Sequence, residues 1–285
     1  MPTLMILTPD PADLHHEFRW ADVVDANAAP LRAAGFAVEQ RVWTNAGDLT
    51  GFDLVLPLLA WGYPRAHDRW VDAVGAWAAD GIRLHNPASV LIWNSDKLYL
   101  GRFAERGVPV VPTVYAERID AALLEETARH FGTDRLVAKP QISAGAWQTI
   151  RWSPGDPLTG GPSGPAMIQP YLAQIESEGE VSMLYFGGRF SHAIAKRPQP
   201  GDFRVQPEYD GIITAHLPTQ EERAVAERVL AQIEERLLYA RVDLVRGASG
   251  PMLIEIELIE PDLYLGYDPA RGAAFAAAAK ELIGG

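Results

Sequence analysis

The sequence predicts an α/β protein with a parallel layer over residues 1–92 and a remainder that mixes helices with antiparallel strands. Two observations carry this. Short apolar strands alternate with helical patterns in the first third, the order that βαβ crossovers require. Near residue 93 the alternation gives way to hairpins and single helices, ending in two acidic strands and an Ala-rich helix.

In chain order, residues 3–8 (TLMILT) read as a buried strand. A helical pattern follows at Val23, Val24, Ala28, Leu31 and Ala34 and stops at Gly35. Strand patterns recur at 36–42 and 52–58, and a helix at 68–79 closes at Gly81. Ser95 and Asp96 are placed to cap a helix reaching Arg106, with Gly107 as its stop. A strand over 108–115, a helix over 120–131 and a strand over 136–139 come next. Residues 153–165 are a Pro/Gly/Ser loop. A strand at 166–172 precedes a hairpin of 181–186 and 189–196, turned at Gly187-Gly188. Thr219 with Glu222 forms a capping box opening a helix that carries Val225, Val229, Ile233 and Leu237.

Composition bounds the function. With 285 residues, 48% of them hydrophobic, the chain can bury a large core in one to three domains. The absence of cysteine excludes disulfides, thiolate metal sites and a cysteine nucleophile. A net charge of -12 argues against a nucleic-acid groove, although a few placed cations can serve one nucleotide. No apolar stretch is long enough to span a bilayer and no basic, apolar leader is present, so a soluble cytoplasmic protein is expected. The partner expected is a small-molecule substrate, not a membrane; a homodimer is the default oligomer. Neither GxGxxG nor GxxxxGK[ST] occurs, which excludes a dinucleotide fingerprint and a P-loop by sequence.

The densest chemistry lies near the C-terminus. Leu253–Pro261 (LIEIELIEP) places Glu255 and Glu257 two apart, hence on one face of a strand. Upstream, Arg241-Val242-Asp243 precedes the turn-forming RGASGP. A hairpin centred near Ser249 sets Asp243 opposite Glu255 and Arg241 opposite Glu257, with Ile254, Ile256 and Leu258 on the other face. Taken alone, a wet amphipathic hairpin explains this as well as a metal site does. Oxygen-only ligands would suit Mg²⁺.

Lys139 ends the apolar strand 136–138, a poor place for simple solvation, and the small-residue loop Gln141–Gln148 follows it. Lys97 lies in the first turn of its expected helix, where a cation opposes the dipole. Lys196, Arg197 and Arg204 fall within nine residues of an acidic chain, and Arg204 offers a planar fork for phosphate or carboxylate. Singly, each cation also fits a solvated surface.

Together these segments resemble the ATP-grasp superfamily. The set, in order, is NSDK at 94–97, VAKP at 137–140, QPYL at 169–172, KRPQPGDFR at 196–204, VDLV at 242–245 and IEIELIEP at 254–261. The branch resembled is that of glutathione synthetase and the ribosomal-protein glutamate ligase, and within it the cycloserine-biosynthesis cyclo-ligase type. The resemblance implies an N-terminal α/β domain (1–92) and two α+β lobes (93–172 and 173–285) that hold ATP between them.

It implies roles as well. Lys97 and Lys139 would contact the nucleotide, with Ser143 and Gly145 in the loop over it. Gln169, Tyr171 and Leu172 would form the adenine hinge, and Glu176 would bind ribose in competition with Glu178 and Glu180. Asp243, Glu255 and Glu257 would ligate magnesium. Arg204 would steady the γ-phosphate or the phosphorylated intermediate, with Lys196 and Arg197 beside it. The sequence departs from the family twice: the loop after Lys139 has one glycine, Gly145, and Glu257 replaces the common Asn. The extra charge suits two Mg²⁺ ions.

Trp61, Tyr63 and Arg65 follow the carboxyl end of a strand and are the candidate substrate residues, together with Glu260. The neighbouring His15 and His16 read as surface or gating residues rather than a metal pair. The resemblance implies an ATP-dependent, ADP-forming carbon–nitrogen ligase for an amino-acid-like or ureido carboxylate. A ring-closing ligase acting on an O-ureidoserine-like substrate is its special case. A non-catalytic ATP-binding module is the reading from another class, disfavoured by retention of both lysines, the three acids and Arg204.

Overall fold

The structure is a computed structural model that describes residues 1–12, 20–199 and 211–284. The first segment comprises β1 (Thr3–Thr8), α1 (Trp20–Ala33), β2 (Ala37–Val42), β3 (Leu54–Leu56) and α2 (His67–Ala79). β1 lies between β2 and β3, parallel to both, so the expected parallel layer forms. The run Leu4–Leu7 is apolar at every position because β1 is covered on both faces. Leu4 and Ile6 enter a core with α1, and Met5 and Leu7 enter another with Trp70, Val74 and Trp77 of α2.

The next elements are α3 (Ala88–Asn94), α4 (Tyr99–Glu105), β4 (Val114–Ala116), α5 (Ala121–Phe131), β5 (Leu136–Pro140), β6 (Ile150–Trp152) and β7 (Ala166–Pro170). The strands form an antiparallel sheet ordered β4–β7–β5–β6, backed by α5. α5 starts where Asp120 Oδ1 accepts from Leu123 N at 2.8 Å and stops at Gly132, whose φ is 62°. The helix expected after Ser95 begins later, as α4 at Tyr99, and α3, which the sequence reading did not give, precedes Ser95. Ser95 closes α3, its hydroxyl donating to Ile92 O at 2.7 Å, and Asp96 turns the chain by accepting from Leu98 N. The strand expected over 108–115 shortens to β4, because residues 109–111 are drawn alongside Leu253 instead.

After α6 (Gln174–Ser177) come β8 (Glu180–Phe186), β9 (Arg189–Arg197), β10 (Ile212–His216), α7 (Gln220–Leu230), β11 (Tyr239–Gly247), β12 (Gly250–Glu257) and α8 (Ala273–Ile283). Their strands make an antiparallel sheet ordered β10–β9–β8–β11–β12. Gly187 and Gly188, at φ 55° and 74°, turn the β8–β9 hairpin as the left-handed residues of a two-residue turn must. The capping box of α7 is present, with Thr219 N donating to Glu222 at 2.7 Å. α7 ends at Leu230, so Ile233 and Leu237 join the core from beyond the helix.

The two faces of this sheet differ. Val181, Met183, Val242, Leu244 and Ile256 pack against α4 and α7. On the other face Leu184, Phe186, Ile194 and Tyr239 meet α8 and the first parallel sheet, and beyond them the face turns charged. Asparagine side chains serve backbone groups here. Asn94 donates to Ile256 O (2.9 Å) and accepts from Leu258 N (2.8 Å); Asn86 donates to Tyr239 O and Leu258 O and accepts from Leu238 N. Asn86 is fully buried, so Asn86→Ala would orphan three backbone groups. It should cost about 3–5 kcal/mol, measured by urea denaturation; a loss within 1 kcal/mol, taken as the ordinary surface range of about ±0.5 doubled, would contradict the role.

Candidate active site

Strand periodicity builds the charged face. Lys196, Glu180, Ser182, Arg241, Asp243, Glu255 and Glu257 project from four adjacent strands. Lys196 is opposite Glu180, Asp243 opposite both Ser182 and Glu255, and Arg241 opposite Glu257. The β11–β12 register is the one the sequence predicts, with one correction. A bulge lies between the Asp243–Glu255 and Leu244–Leu253 pairs, leaving Ile254 as the extra residue. Leu253, not Ile254, therefore enters the core beside Ile256 and Leu258.

Arg241 stands at the centre of this face. Its Nε donates to Asp243 Oδ1 at 3.0 Å, its Nη2 to Asp243 Oδ2 at 3.0 Å, and the same nitrogen pairs with Glu257. Lys196, itself buried, pairs with Glu180 and reaches Asp243 Oδ2 at 3.4 Å. Burial alone would raise the Asp243 carboxyl, but Arg241 and Lys196 outweigh it and hold it below the usual carboxylate range. The expected trio of metal ligands is thus not assembled around one point; among the described residues no three acids or histidines are so grouped. Arg241 was visible in the sequence on the right face, and its two-residue offset from Asp243 is the signal that could have given it a role.

Glu255 and Glu257 nonetheless fit a divalent ion. Their side chains are 27% and 25% exposed, against 2% for Asp243, so they can be reached. Burial raises the proton affinity of Glu257 well above the ordinary range, and the charges of Glu255, Asp243 and Glu260 add to it against Arg241. Carboxylates crowded this way favour a positive ligand, and an all-oxygen donor pair suits Mg²⁺.

The NSDK segment delivers Lys97 to this pair. Asn94 fastens the chain to β12, and Asp96 accepts from Gln141 Nε2 at 2.7 Å, tying in the loop after Lys139. Lys97 then bridges Glu255 Oε1 (3.0 Å) and the carbonyl of Ser143, whose own hydroxyl donates to Pro140 O. In that loop Gly145, Ala146 and Gln148 all have positive φ, at 61°, 57° and 52°. Lys139 projects from β5, opposite Met167 of β7. It has no ion-pair or hydrogen-bond partner among the described residues; burial lowers its proton affinity, Glu255 raises it and Lys97 lowers it further. Lysines from two segments and acids from a third therefore share one electrostatic neighbourhood.

The remaining predicted residues divide. Gln169 is buried and donates to Thr113 Oγ1 at 2.9 Å; Tyr171 N donates to Arg135 O, the Tyr171 ring lies 4.8 Å under the Arg135 guanidinium, and its hydroxyl donates to Glu176. Leu172 follows at the crossing from the small sheet to the large one. Glu178 is turned to Arg246 and Glu180 to Lys196. Arg197 is exposed, its Nε reaching Glu178 O, and so points away from the acids. Arg204, His15 and His16 lie outside the described residues. Tyr63 is buried against Trp70, and the charges of Glu260 and Glu255 act on it, which places it at the acidic face. Trp61 packs into the core beside α1 and its carbonyl accepts from Trp43, while Arg65 is exposed.

Burial pushes Glu260 from an ordinary value near 4.5 up to about 7, with Lys97 pulling the other way. A carboxyl with a raised folded value stabilises the fold below its unfolded value and loses that contribution as pH rises through the folded one. The unliganded protein should lose up to ~3 kcal/mol from this group between about pH 4.5 and pH 7. Glu260→Gln should flatten that part of the Tm–pH curve; an unchanged slope would refute it.

Residues 6–86 match the family model for the N-terminal domain of the D-cycloserine synthetase DcsG. The chain is 30% identical to the cycloserine biosynthesis protein DcsG of Streptomyces lavendulae, over 91% of this chain and 95% of that protein. The chain belongs to the DcsG family of ATP-grasp ligases. The crystal structure of D-cycloserine synthetase DcsG superposes with a TM-score of 0.82 at 26% identity, covering 99% of both chains. A RimK-domain ATP-grasp protein of Sphaerobacter thermophilus shares the fold, at TM-score 0.68 and 14% identity over 99% of this chain and 100% of that one. The ATP-grasp architecture predicted from the six motifs is therefore the observed one, and as a DcsG-family member the protein is an ADP-forming carbon–nitrogen ligase. Among the described residues no helix is long and apolar enough to cross a membrane.

Proposed function

We propose that the protein uses Mg²⁺-ATP to phosphorylate the carboxylate of an amino-acid-like or ureido substrate and transfers the acyl group to a nitrogen, releasing ADP and phosphate. The observation that carries this is the contact of Lys97 with Glu255, with Lys139 near enough for the charges of both to act on it and Glu257 on the same face of β12. Lys139 is a half-buried cation without a partner among the described residues, and phosphate oxygens are the anions that would satisfy it. Lys97, already bridging Glu255 and the loop carbonyl of Ser143, would hold that loop over the phosphates. Glu255 and Glu257 would hold magnesium, which screens phosphate charge when bound. They suit one ion, and a second requires Asp243 to leave Arg241.

Arg241, buried and rigidly held, puts a fixed positive charge where the attacked carboxylate gathers negative charge, so it needs no reorganisation during reaction. Gln169, Tyr171 and Leu172 would meet adenine, Glu176 ribose, and Arg204 the transferring phosphoryl group. Positioning and charge carry catalysis of this kind, and no enzyme nucleophile is called for.

A second reading, ring closure within one substrate, is favoured by the near full-length match to a protein of cycloserine biosynthesis. One experiment tests both. The protein is incubated with Mg²⁺-ATP and a panel of amino acids, ureido-amino acids and dipeptides, and ADP and phosphate are measured. Substrate-dependent ADP release is expected, and product mass separates ligation from cyclisation. ATP binding without turnover on any panel member would overturn the ligase reading.

A further inference from the structure

The loop after β5 is fastened most firmly at its root. Gln141 N donates to Pro165 O at 2.9 Å, and Gln141 O accepts from Lys97 N at 3.2 Å. The Gln141 side chain adds a second tie, its Nε2 donating to both oxygens of Asp96 at 2.7 and 2.8 Å. Two residues on, the buried Ser143 closes a turn by donating to Pro140 O at 3.0 Å and offers its carbonyl to Lys97. Beyond it Ala144, Gly145 and Trp147 are exposed, and Gln148 meets Ser163 through contacts of 3.3 and 3.4 Å. Ala146 and Gln148 stand at positive φ although neither is glycine, so the course of the loop is imposed on it rather than preferred.

Asp96 serves its own segment with one contact, its Oδ1 accepting from Leu98 N at 2.9 Å where the chain turns into α4. The bond to Gln141 spans 45 residues, caps no helix and joins no two strands. It is charge-assisted, hence among the stronger hydrogen bonds, and it ends on the neighbour of Lys97. Holding residue 141 against residue 96 holds the Ser143 carbonyl against Lys97, whose ammonium also lies 3.0 Å from Glu255.

In the proposed reaction an acyl phosphate persists until a nitrogen attacks its carbonyl carbon. The acyl carbon–oxygen bond then breaks, phosphate leaves and the nitrogen gives up a proton. Water attacking the same carbon breaks the same bond and returns the substrate carboxylate and a proton, so that ATP becomes ADP and phosphate without product. A loop held shut excludes that water. We propose that Asp96 and Gln141 are positioning residues that strap this loop over the reacting centre, and so set how much ATP ends in product rather than in hydrolysis. This rests on the ligase reading and adds to it the control of one competing step.

The first arm of the test needs no ligand. Hydrogen exchange of the unliganded protein is followed over residues 95–99 and 139–149 in wild type, Gln141→Ala, Gln141→Glu and Asp96→Asn. Gln141→Ala should speed exchange there by about 10-fold, the effect of losing one hydrogen bond to a charged group, with β8 and β11 unchanged. Gln141→Glu sets a second carboxylate against Asp96 and should speed it at least as much. Asp96→Asn keeps an oxygen for both Gln141 and Leu98 and should fall between wild type and Gln141→Ala. The second arm takes a panel substrate that wild type turns over and compares ADP released with product formed. Wild type should release about one ADP per product and Gln141→Ala about three or more, while Mn²⁺ affinity at saturating ADP stays within about 3-fold of wild type. Unchanged exchange in both Gln141 variants would overturn the strap. Faster exchange with an ADP-to-product ratio still near that of wild type would overturn its role in coupling. Faster exchange in β8 and β11 as well would overturn it too, by showing that Gln141 supports the fold as a whole. Turnover of no panel member by wild type would overturn the ligase reading, and the coupling role with it.

Discussion

Glu255→Gln should lower kcat/KM for ADP release by about 10³-fold, whereas Glu257→Asn should stay within about 10-fold of wild type. The two acids are neighbours on β12, yet their partners differ. Glu255 is the only acid in contact with Lys97 among the described residues, at 3.0 Å, and Lys97 is the residue that ties the loop carbonyl of Ser143 to the acidic strand. An amide at 255 is neutral: its carbonyl oxygen can still accept from the lysine, but the ion pair is lost. The change weakens both the metal donor and the tie to the loop at once. Glu257 faces Arg241, which keeps its two-pronged contact with Asp243 when Glu257 becomes neutral. An Asn at 257 retains a carbonyl oxygen for the metal and removes a carboxylate that burial and its acidic neighbours already disfavour in charged form. Mn²⁺ titration at saturating ADP separates the causes: Glu255→Gln should weaken the ion by at least about 30-fold and Glu257→Asn by a few-fold. Equal tolerance of both substitutions would sink the metal assignment.

The contrast between these two residues shows what the sequence could and could not reveal. Period-two alternation put Glu255, Glu257, Asp243 and Arg241 on one face, and the RGASGP turn set their register correctly. Alternation is a local property of the backbone, so it is legible. The bulge at Ile254 was not, because it depends on residues 109–111 pairing with Leu253 from far along the chain. NSDK was legible as a motif but not as a mechanism. Asn94 and Asp96 work by reaching β12 and Gln141, contacts that no local pattern encodes. The helix expected from Lys97 starts late, at Tyr99, for the same reason: Ser95 closes the preceding helix, and the chain is held to β12 and the Gln141 loop before the next begins. Arg241 was seen and passed over, since an arginine between acids reads equally as a surface ion pair until its burial is known. Conversely, Arg197 looked catalytic only by its nearness to Lys196; adjacent residues on a strand face opposite ways, and Arg197 takes the outer side.

Lys139→Met should have opposite effects on stability and on function. A lysine without a partner in a desolvated place is unfavourable to the folded chain, and its lowered proton affinity records that cost. Methionine keeps the length of the stem and removes the charge, so the unliganded variant should be more stable at pH 7, by about 1–2 kcal/mol. The sign with pH follows from linkage. A lysine whose folded value lies below its unfolded value costs stability while the unfolded chain is protonated, and the cost fades as pH rises toward the ordinary lysine value of 10.5. The stability gain of Lys139→Met should therefore shrink as pH rises toward the ordinary lysine value of 10.5. ATP affinity should fall by about 100-fold or more, because truncating one partner leaves the phosphate charge unanswered in the cleft. Substrate-dependent ADP release should drop with it, and Lys139→Ala should lose activity equally but gain less stability, since it leaves a gap beside Met167. Thermal melts with and without ADP read both effects in one series. A variant destabilised without ligand and still shifted normally by ADP would show that Lys139 supports the β5–β7 sheet rather than the nucleotide.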